Sequence, residues 1–210
     1  MKYYEDFLKD HLDTNLLHEL GSITDWKDFN RNNSHMKEFH DDLPYIKKVR
    51  EYLHSKDCIK WVEKELDLEG LIVDSCGVGE GISLMKKDDM LDFHIDDNWN
   101  PRIKAHRAVN LLVYVGECRG GEYYVLDENK EVELFCKEPK HNSAILSRYS
   151  ENISHGVKPI TSGKRYSVRQ FYYTTEAVEP PTPHQWTVTI NTVVHKNNVY
   201  VSSKKSKISL

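Results

Sequence analysis

Apolar residues recur at helical spacing in the first third of the chain. Ile46, Val49 and Leu53 lie three or four positions apart, and Pro44 suits the first turn of a helix that Asp42 would cap. Two further stretches carry a helix-like pattern. The predicted helices are residues 1–20, 42–53 and 58–66. Together they predict a helical buttress over residues 1–70.

From residue 71 the apolar pattern changes to short segments rich in β-branched and aromatic residues. Glycine, asparagine, aspartate and proline separate these segments, which is typical of strands joined by turns. The predicted strands are 71–73, 82–85, 108–115, 121–126, 132–135, 143–146 and 166–173. Helices followed by a run of strands indicate an α+β chain, mainly β, in which residues 71–176 form an antiparallel barrel or sandwich.

Residues 177–210 form a C-terminal extension to this core. A proline-rich joint at 179–183 precedes two strand-like stretches, 186–194 and 199–203, and a basic end. The pattern predicts either an extra hairpin on the barrel or an arm that contacts a second subunit, in which case the protein would be a homodimer. Residues 1–176 are predicted to be a single domain.

The composition narrows the classes of function. The chain has 210 residues, a net charge of −4 and 39% hydrophobic residues, and no apolar run approaches the roughly 20 residues of a membrane span. No secretion signal is visible at the start. The near-balanced charge argues against a general nucleic-acid-binding protein. Four scattered cysteines without a CxxC pair fit a reduced protein. We therefore expect a cytoplasmic protein without membrane or general nucleic-acid partners.

The residues that carry chemistry begin with His94 and Asp96. Residues two apart on a strand face the same side, so the imidazole and the carboxylate are predicted to converge. Such a pair arises easily by chance in a chain with 11 histidines, but His155 lies on a later strand-like segment. Two histidines and one carboxylate form the facial triad typical of non-haem Fe(II) oxygenases, which leaves adjacent coordination positions open.

Arg165 and Ser167 add a candidate anion-binding element after His155. A guanidinium presents a planar fork that matches a carboxylate, and a nearby hydroxyl adds a third donor. Alone, Arg165 would be an ordinary salt-bridge residue on a strand. Beside the triad, it predicts a receptor for a co-substrate that bears a carboxylate.

Three more residues are candidate substrate contacts. Trp99 follows the metal motif directly and would line a substrate entrance or pack on the barrel rim. Arg107 opens the predicted strand 108–115. Arg169 shares a strand face with Arg165 if that strand is regular, and would be a second anion contact or a rim charge.

Five segments together resemble the 2-oxoglutarate/Fe(II)-dependent dioxygenases, in particular their prolyl-4-hydroxylase-like branch. They occur in the family's order within residues 43–176, at 87–96, 106–115, 120–123, 155–160 and 163–174. The resemblance implies a double-stranded β-helix, which is a jelly-roll or cupin-like barrel. It also implies Fe(II) ligation by His94, Asp96 and His155. Gly120 and Gly121 match the family's turn between barrel strands, a matter of backbone geometry.

The resemblance further implies that Arg165 binds 2-oxoglutarate, with Ser167 as a second contact. Many prolyl hydroxylases place a tyrosine nine residues before the first iron-ligand histidine, where it helps to hold the co-substrate. This chain has Met85 at that position, so Asn110 or Tyr114 on the next strand would supply the donor. O2 is the other co-substrate, and ascorbate is an expected stimulant.

These features predict an Fe(II)- and 2-oxoglutarate-dependent dioxygenase that hydroxylates an unactivated C–H bond and forms succinate and CO2. Asp96 favours hydroxylation, because the related halogenases have a small residue in its place. The resemblance implies a prolyl residue of a peptide or protein as the favoured substrate. A free amino acid or other small molecule is the alternative. From another class, the chain would be a catalytically silent β-helix binding module, which the complete triad and Arg165 argue against.

Overall fold

Three helices and a set of antiparallel strands make up the part of the protein that the structure describes. The computed structural model describes residues 1–31, 34–39, 43–77, 80–126, 133–149, 154–176, 193–195 and 198–200. The helices are α1 (Leu12–Ser22), α2 (Pro44–Leu53) and α3 (Lys56–Leu66). The strands are β1 (Lys2–Glu5), β2 (Lys27–Arg31), β3 (Ser34–Phe39), β4 (Gly81–Met85), β5 (Leu91–His94), β6 (Trp99–Asn100), β7 (Ala105–Val115), β8 (Cys118–Gly120), β9 (Tyr123–Leu126), β10 (Glu133–Lys137), β11 (Ser143–Arg148), β12 (His155–Val157), β13 (Ile160–Gly163), β14 (Arg165–Thr174), β15 (Val193–His195) and β16 (Asn198–Tyr200). None of these helices is long and apolar enough to cross a membrane.

Two antiparallel sheets form the core. The larger has the strand order β1-β11-β7-β14-β4-β3-β2, with β6 beside β7, and the smaller has the order β10-β9-β12-β5. Side chains of both sheets pack together: Tyr114 and Ile145 of the larger sheet share a buried cluster with Tyr123 and Val125 of the smaller. The mainly β architecture predicted from the strand pattern is confirmed.

The larger sheet carries the helices on its outer face. Val109, Leu111 and Val113 alternate along β7 and belong to one buried cluster with Leu16 of α1 and Val49 of α2. The side chains between them point to the opposite face, toward the smaller sheet. One strand therefore supports the helical layer with one set of side chains and the interior of the barrel with the other.

A β-bulge interrupts this alternation near the start of β7. Tyr172 of β14 pairs with Val109, whereas Tyr173 pairs with Arg107, so Ala108 is the extra residue. The bulge brings Arg107 to the same side of the sheet as Asn110, although three positions separate them. In a regular strand, residues three apart face opposite sides.

The N-terminal part differs from its sequence-based prediction. Residues 1–20 are not one helix, because β1 pairs with the edge of the sheet at β11 and α1 begins only at Leu12. Tyr3 and Tyr4 lie in β1, where their aromatic rings suit a half-buried strand. The β2–β3 hairpin, which we did not predict, also interrupts the helical buttress. Residues 71–73 are not a strand, and Ile72 forms only an isolated bridge with Tyr173.

The C-terminal extension is described at two short strands. β15 and β16 pair with each other in antiparallel register. The proline-rich joint at 179–183, the rest of the strand-like stretches and the basic end lie outside the described residues. Whether the extension is an arm that contacts a second subunit stays a prediction.

The N-terminus of α2 is capped by a side chain from α1. Leu43 precedes the helix and provides no side-chain cap, and the predicted cap, Asp42, lies outside the described residues. Instead, the Glu19 carboxylate accepts the backbone N–H groups of Tyr45 at 3.0 Å and Ile46 at 2.8 Å. A negative charge at this end also interacts favourably with the helix dipole. Glu19 therefore couples the two helices.

Replacing this cap should destabilise the protein measurably. We expect Glu19→Ala to lower the free energy of unfolding by about 1–2 kcal/mol, because two backbone N–H groups lose their acceptor and the dipole loses its partner charge. Urea titration followed by circular dichroism would measure the change. Glu51→Ala is a matched control, since Glu51 is an exposed glutamate in the same α2 helix. Equal effects of the two substitutions would contradict a capping role for Glu19.

Candidate metal centre

His94 and His155 face each other on adjacent strands of the smaller sheet. They are partners in the β5–β12 register, and their ring centroids are 4.3 Å apart. Asp96 lies in the loop just after β5, with Oδ1 3.4 Å from His94 Nε2 and Oδ2 3.8 Å from His155 Nε2. The ligand atoms of the three residues lie within 4.8 Å of one another. The predicted convergence of His94 and Asp96 is therefore present, although only His94 is in a strand.

The orientation of His94 is set by a backbone carbonyl. Its Nδ1 lies 2.9 Å from the carbonyl oxygen of Asp92. A carbonyl can only accept, so Nδ1 carries a proton, and in the neutral imidazole Nε2 keeps its lone pair. A second hydrogen bond of this kind is typical of metal-binding histidines, because it fixes both tautomer and ring angle.

Three donors hold Asp96 in place. Arg107 Nη1 lies 3.0 Å from Oδ2, and the Asn110 amide donates to the same oxygen at 3.2 Å. The Tyr149 hydroxyl donates to the backbone oxygen of Asp96 at 2.8 Å. Since Oδ2 is engaged by Arg107 and Asn110, Oδ1 is the less encumbered oxygen for a metal ion.

The ionisation of the three groups suits a divalent cation. Burial alone would raise the pKa of Asp96, but the charges of His155, Arg107 and His94 outweigh it and hold that pKa well below its usual range. Burial and the charge of His94 lower the pKa of His155 to about 4. Burial also acts to lower the pKa of His94, but its hydrogen bond to Asp96 and the charge of that residue raise it overall. At neutral pH the carboxylate is charged and His155 is neutral, as ligation requires.

A buried guanidinium lies deeper in the barrel. Arg165 is only 4% exposed and forms no ion pair with any residue that the structure describes. Its Nη1 lies 3.1 Å from the sulfur of Met85, its register partner on β4, and its Nε has no partner among those residues. An unpaired buried charge is costly, so the position is suited to an anion that comes from outside the protein.

Further polar groups surround this guanidinium. The Tyr114 ring lies 4.6 Å below the Arg165 guanidinium, and the Tyr114 hydroxyl is buried without a hydrogen-bond partner in the described residues. Ser167 is buried and shares a hydrogen bond of 2.6 Å with Ser83 across the β14–β4 register. Arg165 and Tyr114 therefore lie together in the interior, and the co-substrate roles of Arg165, Tyr114 and Ser167 stay predictions.

The glycines before β9 leave room for Arg165. Gly121 has a φ of +70°, and a Cβ there would meet the Ile160 side chain and lie 3.3 Å from Arg165 Cδ. Gly120 has a φ of +73°, and a Cβ there would clash with the backbone oxygen of Pro159. The interpretation of this pair as a matter of geometry is confirmed.

The three candidate substrate contacts differ in their positions, and Arg107 is the one with a contact to a candidate metal ligand in the described residues. Arg107 contacts Asp96 directly and lies over the Phe171 ring at 3.7 Å. Trp99 packs edge-on against His106, its register partner on β7, at 4.8 Å. Arg169 shares the face of β14 with Arg165, so the strand is regular there as predicted. Their roles toward substrate stay predictions.

A small cleft of about 20 Å³ lies beside the metal centre. Asp96 and His155 line it, together with Asn110 and Ser147 of the larger sheet and Tyr123 of the smaller. The Tyr123 ring stacks near His155, with centroids 5.4 Å apart. The cleft therefore reaches two of the three candidate metal ligands.

Two contacts to the metal centre have no signal in the sequence. Asp92 acts through its backbone carbonyl, which its side-chain identity does not reveal. Tyr149 follows β11, far from the metal motif in sequence, and reaches Asp96 only through the folded chain. Asn110 lies in one of the five segments that resemble the family. Its predicted role in co-substrate binding suggested a position beside Arg165, whereas its amide donates a hydrogen bond to Asp96.

Residues 81–173 match the family model of the 2OG-Fe(II) oxygenase superfamily. No curated protein sequence matches the chain.

Among solved structures, three prolyl hydroxylases are similar in fold. The viral collagen prolyl hydroxylase of Paramecium bursaria Chlorella virus-1 is 16% identical, with a TM-score of 0.57 over 83% of this chain and 96% of that one. A prolyl-4-hydroxylase of Pseudomonas putida is 17% identical, with a TM-score of 0.60 over 82% and 91%. A Trichoplax adhaerens prolyl hydroxylase, in complex with a peptide fragment of the hypoxia inducible factor oxygen degradation domain, is 17% identical, with a TM-score of 0.58 over 82% of each chain. The predicted double-stranded β-helix is confirmed.

Metal affinity should depend on proton release from one histidine in the mildly acidic range. Zn²⁺ binds neutral imidazole, so it must displace the proton of His94 below the raised pKa of that residue, whereas His155 stays neutral down to a pKa of about 4. Between these two pKa values, we expect the Zn²⁺ affinity, measured by chelator competition, to fall by about tenfold for each unit by which the pH is lowered.

Two variants complete this test. Asp96→Ala should weaken Zn²⁺ binding at every pH, whereas His18→Gln, at an exposed histidine of α1, should leave it unchanged. A fall of about a hundredfold per pH unit would mean that both histidines release protons, and would contradict the low pKa of His155.

Proposed function

The chain belongs to the 2OG-Fe(II) oxygenase superfamily through residues 81–173, and from this membership we propose that it hydroxylates a prolyl residue of a peptide or protein. The enzyme is a dioxygenase that uses Fe(II), 2-oxoglutarate and O2. In the overall reaction, one oxygen atom of O2 enters the substrate as a hydroxyl group and the other enters succinate, while 2-oxoglutarate loses CO2.

The observation that carries this proposal is the convergence of His94, Asp96 and His155 within 4.8 Å. Two imidazoles and one carboxylate are the ligand set of non-haem Fe(II) oxygenases, and they occupy one face of the coordination sphere. Fe(II) with 2-oxoglutarate and O2 supplies the oxidising power for an unactivated C–H bond. The retained carboxylate of Asp96 favours hydroxylation.

The protein's own residues bind and orient the reactants. Arg165, with the hydroxyls of Tyr114 and Ser167, is suited to hold the distal carboxylate of 2-oxoglutarate away from water. Arg107 and Asn110 hold Asp96 in one orientation. The barrel interior excludes solvent, which strengthens each of these electrostatic contacts.

A peptide substrate is supported by two further facts. The small cleft beside the metal centre is partly open and is lined by both Asp96 and His155, so a ligand that binds at this opening would lie next to the metal position. Prolyl hydroxylases are among the solved structures similar in fold, and one of them holds a peptide fragment. A cytoplasmic location and a homodimer formed through residues 177–210 remain part of the proposal without a structural test.

The expected activity can be measured without a known substrate. With Fe(II), 2-oxoglutarate and ascorbate, the protein should form succinate slowly even in the absence of a substrate. Asp96→Ala should lower succinate formation by at least about 100-fold, since it removes a metal ligand. Undiminished turnover in Asp96→Ala would refute its role as ligand.

The co-substrate site has its own signature. We expect Arg165→Gln to raise the KM for 2-oxoglutarate by about 10- to 100-fold, because the distal carboxylate loses its charged partner. Arg119→Gln, at an exposed arginine of β8, is the matched control and should leave the KM unchanged. An equal KM for 2-oxoglutarate in Arg165→Gln and Arg119→Gln would mean that Arg165 does not bind the co-substrate.

The substrate class can be tested by mass spectrometry. Proline-containing peptides and free amino acids would be incubated separately with the loaded enzyme, and each would be examined for a gain of one oxygen atom. Oxygen gain in peptides supports the proposal. Gain only in a free amino acid would replace it with small-molecule hydroxylation. No succinate from properly loaded protein would indicate a silent binding module.

A further inference from the structure

Asn110 has a carbonyl group whose hydrogen-bonding capacity is not used by the protein. The side chain is 8% exposed, and its Oδ1 is buried without a hydrogen-bond partner in the part of the chain that the structure describes. A buried acceptor in this state costs about 1–3 kcal/mol. Such a group is normally paired with a donor, either water or a bound ligand.

The orientation of this amide is chemically determined. Its other end lies 3.2 Å from Oδ2 of Asp96, and a charged carboxylate only accepts hydrogen bonds. The NH2 group must therefore face Asp96, and the carbonyl oxygen must be the atom left over. Exchanging the two atoms would place two acceptors against each other.

The position of Asn110 restricts which ligand can supply the donor. The residue lines the small cleft together with Asp96, His155 and Ser147, so a substrate that binds at this cleft would lie beside it. 2-Oxoglutarate is a dianion with carbonyl and carboxylate oxygens only, and O2 has no hydrogen. Neither co-substrate can donate to Oδ1, so the donor is water in the free protein and an N–H or O–H of the substrate when the substrate displaces that water.

The neighbouring Arg107 narrows the chemistry further. It places a positive charge at Asp96, which disfavours an ammonium donor beside Asn110. The Nε of Arg107 is also buried without a partner in the described residues. Asp96 therefore has an unpaired donor, Arg107 Nε, and an unpaired acceptor, Asn110 Oδ1, on the two residues that contact it. A secondary amide is neutral and offers an N–H for such an acceptor and a C=O for such a donor.

We propose that Asn110 Oδ1 accepts the N–H of a substrate peptide bond next to the hydroxylated residue, which makes Asn110 a specificity-determining residue for peptides. This inference rests on the proposed function and extends it. A prolyl residue within a peptide has no N–H of its own, so the donor is the amide of the residue that follows it.

Binding of matched peptides tests this hydrogen bond. The probes are acetylated, amidated pentapeptides Ala-X-Pro-Gly-Ala, with X varied over the amino acids, and their ester analogues with glycolic acid in place of glycine. Each pair differs by one N–H exchanged for oxygen at nearly constant shape. Affinities would be measured by calorimetry on the Zn²⁺-substituted protein with saturating 2-oxoglutarate, which separates binding from turnover.

We expect the amide peptide to bind the wild-type protein about tenfold more tightly than its ester, because the ester leaves Oδ1 unsatisfied. In Asn110→Ala the preference should disappear, whereas Ser147→Ala, at the register partner of Asn110 on β11 and in the same cleft, should keep it. Titrations of Zn²⁺ and 2-oxoglutarate would establish that each variant retains the metal centre.

The outcomes distinguish this inference from the proposed function. Equal affinity of the wild-type protein for amide and ester, or an unchanged preference in Asn110→Ala, would overturn the role of Asn110 while leaving peptide hydroxylation intact. Failure of every peptide to bind, with Zn²⁺ and 2-oxoglutarate bound normally, would overturn the peptide substrate and this inference together.

Discussion

The charge of Asp96, whose side chain is only 16% exposed, is the constraint on which the rest of the site depends. A carboxylate in the barrel interior needs partners, since desolvation without compensation would favour its neutral form. His94 and His155 supply partners from the smaller sheet, and Arg107 and Asn110 supply them from the larger. The two sheets therefore meet at one charged group. Any change in their separation alters the metal centre directly.

Strand β7 shows how one element serves both stability and chemistry. Its outward side chains, such as Leu111 and Val113, pack beneath the helices, and its inward ones include Asn110 and Tyr114. Packing against the helices therefore fixes the position of β7, and β7 in turn positions Asn110 and Tyr114 in the site. The bulge at Ala108 turns the Arg107 side chain inward as well. In a regular strand, Arg107 would face the helices.

How far the sequence predicts this protein depends on the range of the interactions involved. His94 and Asp96 are close in sequence, so their convergence follows from local geometry, and the barrel strands follow from alternation and turn residues. Glu19 caps a helix 26 residues away, and Tyr149 reaches Asp96 across 53 residues. Neither contact leaves a local pattern. The sequence predicts Arg107 only as a candidate substrate contact. Its contact with Asp96 depends on the bulge in β7, which arises from pairing with β14 and leaves no local pattern.

The charges of the barrel are arranged so that ligands complete them. Arg165 is a buried cation without an ion pair among the described residues, and the triad is a cluster of lone pairs directed at one point. Each arrangement costs free energy in the protein alone, because Arg165 lacks an anionic partner and the acceptor atoms of the triad lie close to one another. A dianion and a divalent cation remove both costs at once. Because ligands that bind only the folded state stabilise it, the groups that prepare this site for chemistry also couple its stability to 2-oxoglutarate and metal.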